Sequence, residues 1–335
     1  MDEADWEELY AIAKKQCLVG VLFDGIKKLP AEQVGMKMGL LFQWIAKSQM
    51  LVKANVRLND AAIQVSEWFR KKGFRTCILK GQGNALMYPN PYSRTPGDID
   101  IWVEGGDKRV ISFVRSISPH EKACYHHIEF PPYKGVEIEG HYRPSFLLCF
   151  WHNRKLQNFY ERMKEEQFSH RVMLGKQGEI AIPTAEFNLI FQLTHIYAHL
   201  MNEGIGLRQL VDYYYVLISD DLLLIRDRVQ KELKELGLWK FAGGIMYIMQ
   251  EVFGMPASRL IVPPNEKYGK FVQNEVLEAG NFGKHDERNR FGRSKLGHNL
   301  QRVYRDIRLM RYFPGEALCE PIFRTWHFFW RLRHK

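Results

Sequence analysis

The stretch RTPGDIDIWVE, from Arg94 to Glu104, places two aspartates inside an otherwise apolar segment. Side chains two residues apart in a β-strand point to the same face, so Asp98 and Asp100 are expected to project together. The alternate residues, which would face the core, are Ile99, Ile101 and Val103. Two adjacent carboxylates repel each other and lose hydration when buried, which favours a bound cation. Oxygen ligands of this kind suit Mg²⁺ or Mn²⁺.

A second group of acidic residues follows in VEIEGHY, residues 136–142. Glu137, Glu139 and His141 alternate with apolar or small residues and therefore share one face of a predicted strand. The preceding run ACYHHIEF and the turn PPYKG predict a hairpin that ends in this strand. Such a hairpin would bring a third carboxylate beside the aspartates, but alternation alone does not separate Glu137 from Glu139.

Upstream, the segment ILKGQGNA joins a predicted strand, FRTCIL, to a short helix. Lys80 ends the strand, and Gly81, Gln82 and Gly83 follow it. Backbone N–H groups at such a turn, together with a helix N-terminus, form a site for anions. Lys80 is a candidate phosphate contact, and a solvated strand-end lysine is the alternative interpretation.

The periodicity of apolar residues divides the chain into three regions. Residues 1–72 are predicted to be helical, residues 73–182 to form an α/β unit of short strands and helices, and residues 183–335 to form a helical domain. The fold class predicted is therefore α+β, with a small mixed sheet flanked by N-terminal helices and by a C-terminal helical domain.

The order of these motifs resembles the nucleotidyltransferase superfamily with the polymerase-beta-like fold. Within it, the chain is similar to a family of uncharacterised bacterial nucleotidyltransferases, over roughly residues 5–220. The family pattern has a Leu-Lys-Gly strand end, a Tyr-Pro, an Arg-Pro-x-Gly-Asp-Ile-Asp segment, an acidic-x-His motif, and Arg and Asp four apart on a later helix. In this sequence the matching positions are Lys80, Gly81, Tyr88, Pro89, Arg94, Gly97, Asp98, Asp100, Glu139, His141, Arg208 and Asp212.

This resemblance implies transfer of a nucleoside monophosphate from a nucleoside triphosphate (NTP) to a hydroxyl of an acceptor that the sequence does not identify. Asp98, Asp100 and Glu139 would hold two Mg²⁺ ions, and Glu139 would accept the hydroxyl proton. The same comparison favours Glu139 over Glu137 as the third carboxylate. The remaining residues implied in nucleotide binding are Lys80, Gly81, Gln82, Arg94, His141 and Arg208.

The chain departs from the superfamily pattern in the loop after the first strand. Gln82 stands where a serine or glycine is usual, and fifteen residues, 83–97, precede Asp98. The hydroxyl that would contact a phosphate is therefore missing. This departure supports an alternative, a catalytically inactive module of the same fold that binds nucleotide as a sensor or regulator.

Several candidate residues also have a purely structural interpretation. Arg94 could contact phosphate or form an ion pair, and His141 could orient the glutamate or be a hydrogen-bonded strand histidine. His195 and His199 are spaced to chelate zinc on a helix, but the sequence offers no third ligand, so packing in the cleft or the core is preferred. Arg208, four residues before Asp212, is expected to form a helix ion pair or to reach the nucleotide.

The composition narrows the class of protein. The chain has 335 residues, 46% of them apolar, and no apolar run long enough to span a bilayer. Five scattered cysteines favour neither a disulfide framework nor a zinc site, and they predict a reducing, cytoplasmic location.

The basic charge is concentrated at the C-terminus. Residues 284–335 contain 13 Lys and Arg against 5 Asp and Glu, a charge of +8 out of the total of +10. RTWHFFWRLRHK, residues 324–335, predicts a terminal helix that docks Trp326, Phe329 and Trp330 on the bundle. Two alternatives are peripheral contact with anionic lipid, as in a membrane-surface accessory protein, and, less favoured, nucleic acid.

Overall fold

The N-terminal region is helical, as its periodicity predicted. The structure, a computed structural model, describes residues 3–176, 178–219, 221–288 and 295–334. The first helices are α1 (Glu3–Lys15), α2 (Val19–Ile26) and α3 (Met38–Lys71). Trp6 and Tyr10 of α1 pack with Phe23 of α2 around the fully buried Trp44 of α3. The second half of α3 then covers one face of the sheet.

The sheet has four strands in the order β1-β2-β4-β3. These are β1 (Thr76–Ile78), β2 (Ile99–Val103), β3 (His127–Tyr133) and β4 (Val136–His141). β3 and β4 form the predicted antiparallel hairpin, whereas β2 and β4 run parallel. A parallel pair needs a crossover connection, which here consists of α5 (Gly106–Ile117) and β3. A short helix, α4 (Gln82–Ala85), follows β1.

The alternating side chains of β2 enter two different apolar clusters. Ile99, Ile101 and Val103 pack in the cluster that includes the second half of α3. Trp102 faces the opposite way and stacks with Phe187 in a second cluster formed mainly by the C-terminal helices. Asp98 and Asp100 alternate in phase with Trp102, so they point toward the C-terminal helices.

Helices dominate the rest of the chain, together with a small hairpin. The hairpin consists of β5 (Arg171–Leu174) and β6 (Gly178–Ala181). The helices are α6 (Phe150–Ser169), α7 (Ala185–Asn202), α8 (Leu207–Leu217), α9 (Leu222–Glu235), α10 (Trp239–Glu251), α11 (Glu266–Ala279), α12 (Lys295–Met310) and α13 (Pro314–Arg333). The α+β class is confirmed. α6 lies where the sequence analysis identified short strands and short helices only.

The C-terminal helix docks along part of its length. Phe323 is buried against Phe146, and Trp326 contacts Tyr125 edge-on. Trp330 packs beside the cluster under α3, but Phe329 is 56% exposed, so the predicted docking does not extend to it. Lys335 lies outside the described residues. Among those residues, no helix is long and apolar enough to cross a membrane.

Candidate functional site

The site is built on the two aspartates at the start of β2. Asp98 immediately precedes the strand and is half-buried, and Asp100 lies within it and is only 2% exposed. Their shared face, predicted from alternation, opens toward α7 and α8. One oxygen each of Asp98, Asp100 and Glu139 lies within 4.8 Å of the other two. Three acidic groups therefore converge on one point at the edge of a buried cleft.

The register of the parallel pair distinguishes the two glutamates of β4. Asp100 is opposite Glu139 across the β2–β4 ladder. Glu137 lies two residues earlier on the strand. It is exposed and is not part of the group of converging carboxylates. The structure thus brings Glu139, rather than Glu137, to the aspartates.

Two cationic groups face the carboxylates. Lys80 Nζ lies 3.1 Å from Asp100 Oδ2. His141 Nε2 lies 3.0 Å from Asp100 Oδ1 and 3.3 Å from Glu139 Oε2. His141 therefore bridges two of the three carboxylates, which is the orienting position proposed for it from the sequence.

These contacts set the charge state of the site. Burial acts to raise the pKa of Asp100, but Lys80 and His141 outweigh it and hold that pKa well below its ordinary value. The pKa of Asp98 is raised, because Asp100 repels its charge and burial adds to this effect. For His141, burial opposes the charged form, yet hydrogen bonds to Asp100 and Glu139 raise its pKa to about 9.

The loop after β1 contributes Lys80 and Gly81 to the cleft, but not the side chain of Gln82. Gly81 has a φ of 63°, in the region that favours glycine, and it turns the chain sharply into α4. Gln82 Nε2 donates instead to Asn59 Oδ1 of α3. Gly81 lines the cleft with Lys80, whereas Gln82 does not. A direct nucleotide contact of the Gln82 side chain would therefore require a different rotamer.

Arg94 and Asp212 form a buried ion pair across the cleft. Arg94 Nε and Nη2 donate to the two Asp212 oxygens at 2.8 and 2.7 Å, and the Tyr88 hydroxyl donates to Asp212 Oδ1 at 2.6 Å. The partner of Asp212 is thus Arg94, not Arg208 as the helix spacing had indicated. This pair joins the loop before β2 to α8.

Arg208 is consequently left with a different environment. Its Nη1 donates to the carbonyl of Thr95 at 3.0 Å, and its guanidinium lies over the Phe282 ring, 5.5 Å from the centroid. Its Nε is buried without a hydrogen-bond partner among the described residues. Arg208 therefore keeps donor capacity at the cleft wall.

Two compartments meet at Lys80, Asp98 and Asp100. The inner one is lined by Arg94, Arg208 and other residues of the loop before β2 and of α7 and α8. The outer one has a volume of about 570 Å³ and reaches Glu139, the β3–β4 hairpin and helices α7 and α13. The carboxylates lie where the compartments join.

The donor set fits a hard divalent cation. All three converging groups are carboxylates, the ligands that Mg²⁺ and Mn²⁺ favour. Asp100 Oδ2 is buried and has no hydrogen-bond partner among the described residues, although Lys80 lies near it. A buried carboxylate oxygen is stabilised by a cation beside it, and a metal ion could share this role with the Lys80 ammonium.

Histidines from α7 and from the start of β3 line the outer compartment. His195 Nε2 lies 3.1 Å from Lys80 Nζ and 3.0 Å from His199 Nε2, so these two helix residues face the cleft as preferred from the sequence. His126 and His127, adjacent to Cys124, were not singled out at all, although the CYHH run was visible.

Similarity to known proteins is found at the level of a family model. Residues 2–254 match a family described as uncharacterised nucleotidyltransferase. Among solved structures, the chain is similar to an antigenic nucleotidyltransferase-like protein from Paracoccidioides brasiliensis, with 13% identity and a TM-score of 0.31, over 54% of this chain and 90% of that chain. A comparison with curated proteins gave no match.

Proposed function

Since the chain belongs to the uncharacterised nucleotidyltransferase family, we propose that it transfers a nucleoside monophosphate from an NTP to a hydroxyl group of an acceptor. The observation that carries this proposal is the convergence of Asp98, Asp100 and Glu139 within 4.8 Å on two neighbouring strands. These three residues would hold Mg²⁺, or Mn²⁺ in its place. The bound ions would neutralise the triphosphate and promote in-line displacement of pyrophosphate.

The inner compartment is the proposed position of the triphosphate. Lys80 and Arg208 line it without belonging to the Arg94–Asp212 pair, and Gly81 offers a backbone turn beside them. Lys80 would take over the phosphate contact that a loop serine makes elsewhere in the superfamily. Arg94 would act indirectly, by holding the loop before β2 against Asp212.

Glu139 is the proposed acceptor of the hydroxyl proton. It is 32% exposed and borders the outer compartment, where the acceptor would enter. Burial opposes its charge, but hydrogen bonding to His141 keeps the pKa of Glu139 below its ordinary value. His141 therefore favours an ionised, correctly oriented carboxylate.

Calorimetric titration with ATP, GTP, CTP and UTP, with and without Mg²⁺, tests nucleotide binding, and a pyrophosphate-release assay tests turnover. Asp98→Asn is expected to reduce Mg²⁺-dependent turnover by about 100-fold or more, because it removes a charged ligand from the site. Glu137→Gln is the matched control and should retain turnover, since Glu137 is exposed and outside the carboxylate group. Absence of Mg²⁺-dependent binding for all four nucleotides would refute the proposal.

A nucleotide sensor on the same fold is the second candidate, and the orientation of Gln82 favours it. This side chain is directed toward Asn59 rather than into the cleft, so the loop lacks the usual side-chain contact with phosphate. A sensor would bind an NTP with Mg²⁺ but release no pyrophosphate with any acceptor. The two assays above therefore separate the candidates.

A further inference from the structure

A four-residue loop that ends in the first residue of β3 gathers sulfur and nitrogen donors instead of carboxylates. The loop consists of residues 124–127 and is closed by a bridge between Ala123 and Ile128. The backbone N–H of Cys124 donates to the carbonyl of His127 at 2.9 Å. The hydroxyl of Tyr142 donates to the carbonyls of both Cys124 and His127. The backbone of this loop is thus fixed at both ends.

Three metal-ligating side chains converge on this loop. Cys124 Sγ lies 3.4 Å from His126 Nδ1, and His126 Nε2 lies 3.0 Å from His127 Nδ1. One ligand atom from each of the three residues lies within 4.8 Å of the other two. Tetrahedral Zn²⁺ with sulfur and nitrogen ligands requires donor separations of about 3.3–3.8 Å. One cation would use only one ring nitrogen of His126, so the side chains would have to rotate to bring all three donors to such spacings.

The donor types separate this cluster from the carboxylate group. A thiolate with two imidazoles suits zinc and similar borderline cations, whereas the aspartates offer only oxygen. All three side chains are half-buried and line the outer compartment of about 570 Å³. Three protein ligands beside an open space are the arrangement that leaves one coordination position for an exogenous ligand.

We propose that Cys124, His126 and His127 bind a Zn²⁺-class cation, with one coordination position open to the outer compartment. Binding converts the Cys124 thiol to a thiolate and releases its proton to solvent, while each imidazole provides a nitrogen lone pair. This site is independent of the proposed nucleotidyl transfer, and it uses none of the three carboxylates.

The site would nevertheless be connected to its surroundings by two contacts. His127 Nδ1 lies 3.2 Å from Glu139 Oε2, so a cation on His127 would affect one member of the carboxylate group. The backbone N–H of Tyr125 donates to His327 Nε2 of α13 at 3.1 Å, which ties the loop to the C-terminal helix. A cation bound here is therefore expected to change the surroundings of both Glu139 and α13.

The test is metal binding by the full chain after removal of metal with a chelator. Co²⁺ added as a probe should give a thiolate-to-cobalt charge-transfer absorption, and Zn²⁺ should abolish it by displacement. Cys124→Ser should remove the absorption, and His126→Gln should weaken Zn²⁺ binding by more than about 100-fold, since loss of an outer partner alone costs 10–100-fold.

Matched control variants show which residues give rise to the cobalt absorption. Cys319→Ser changes another half-buried cysteine and His120→Gln changes an exposed histidine, and neither should alter binding. The double variant Asp98→Asn with Asp100→Asn should keep the cobalt absorption even if it loses nucleotide binding, which distinguishes the two sites. Absence of the absorption in the unmodified chain, or its persistence in Cys124→Ser, would overturn the proposal.

Discussion

Asp212 supports the loop before β2 through one buried charge. It accepts two hydrogen bonds from Arg94, which is only 3% exposed. Asp212→Asn would leave the guanidinium buried without a counter-charge, so we expect a loss of about 3–5 kcal/mol in the free energy of unfolding. Urea denaturation of the variant and the unmodified chain measures this difference.

The control for Asp212 is an exposed ion pair. Lys134 and Asp60 lie 3.0 Å apart with side chains 60% and 39% exposed, so Asp60→Asn should change the free energy of unfolding by less than about 1 kcal/mol. Equal effects of the two substitutions would show that the buried pair has no special role in stability.

Glu316 is a buried carboxyl whose protonation should make the stability of the fold depend on pH. It lies at the start of α13 and accepts backbone N–H groups from Leu148 and Cys149. Burial raises its pKa from 4.5 to about 7, despite these two donors. Between these values the folded chain binds the proton and the unfolded chain does not, so this contribution to stability is lost as pH rises from about 4.5 to about 7.

Glu316→Gln should remove this dependence, since glutamine does not titrate. The free energy of unfolding of the variant, relative to the unmodified chain, should therefore increase with pH by on the order of a few kcal/mol and level off above about pH 7. Denaturant melts at a series of pH values provide the measurement. A relative stability that stays constant with pH would contradict the shifted pKa.

At the residue scale, local pattern predicted the aspartates but not their partners. Alternation placed Asp98 and Asp100 together because strand period acts within a few residues. The choice of Glu139 over Glu137 depends on the β2–β4 register, and the partner of Asp212 lies 118 residues away in Arg94. Neither long-range pairing is encoded in spacing along the chain.

Helix α2 touches the site loop through a glycine. A Cβ added at Gly20 would lie 2.2 Å from the carbonyl oxygen of Ser93, in the segment that leads to Arg94. Gly20→Ala should therefore displace the loop and cost about 1–3 kcal/mol in unfolding free energy. It should also weaken nucleotide binding, because the loop lines the inner compartment. Thermal melts and calorimetric titration measure the two effects.

Gly25 provides the matched control within the same helix. No atom of the described residues lies within 4 Å of a Cβ built there, so Gly25→Ala should leave binding unchanged and stabilise the helix by up to about 1 kcal/mol. If the two alanine variants behave alike, the close approach at Gly20 does not position the loop.

Strands and helices could be predicted from the sequence where the contacts that define them join residues close together in the chain. The β3–β4 hairpin formed as predicted, but its turn is at Lys134 and Gly135, because Pro131 and Pro132 belong to β3. α6 was missed because its first turn follows a region of strands and its surface is largely polar, with apolar residues only along one stripe. The loop at 124–127 was read as strand, and strand alternation would place His126 and His127 on opposite faces. In the loop closed by the Ala123–Ile128 bridge, the two imidazoles instead contact each other, with His126 Nε2 3.0 Å from His127 Nδ1.

At the scale of the molecule, the cleft depends on parts of the chain beyond the family match. That match ends at residue 254. The outer compartment is nevertheless walled by Arg302 of α12 and by Glu320, Phe323 and Arg324 of α13. Two arginines, a glutamate and an aromatic ring therefore face the side where the proposed acceptor would enter. We therefore propose that the segment that follows the family match helps to select the acceptor in this chain.

The three predicted regions, residues 1–72, 73–182 and 183–335, share their cores. β2 contributes Ile101 to the cluster with α3 and Trp102 to the cluster with the C-terminal helices. Gln16, after α1, accepts a hydrogen bond from the backbone of Leu207 and donates to the carbonyl of Val276. Helices of the other two regions therefore cover both faces of the central sheet, so we propose that the division describes patterns in the sequence rather than independently folding domains.

This sharing predicts a single cooperative unfolding transition for the full chain. Far-UV circular dichroism and tryptophan fluorescence should give coincident urea curves, because Trp44 and Trp102 lie in different clusters that lose their packing together. The isolated segment 73–182 should lack dispersed amide signals in NMR spectra, since the faces of its sheet that α3 and α7 cover would be exposed to water. Two separated transitions, or a well-folded isolated segment, would show instead that the central sheet is stable without the helices that complete its site.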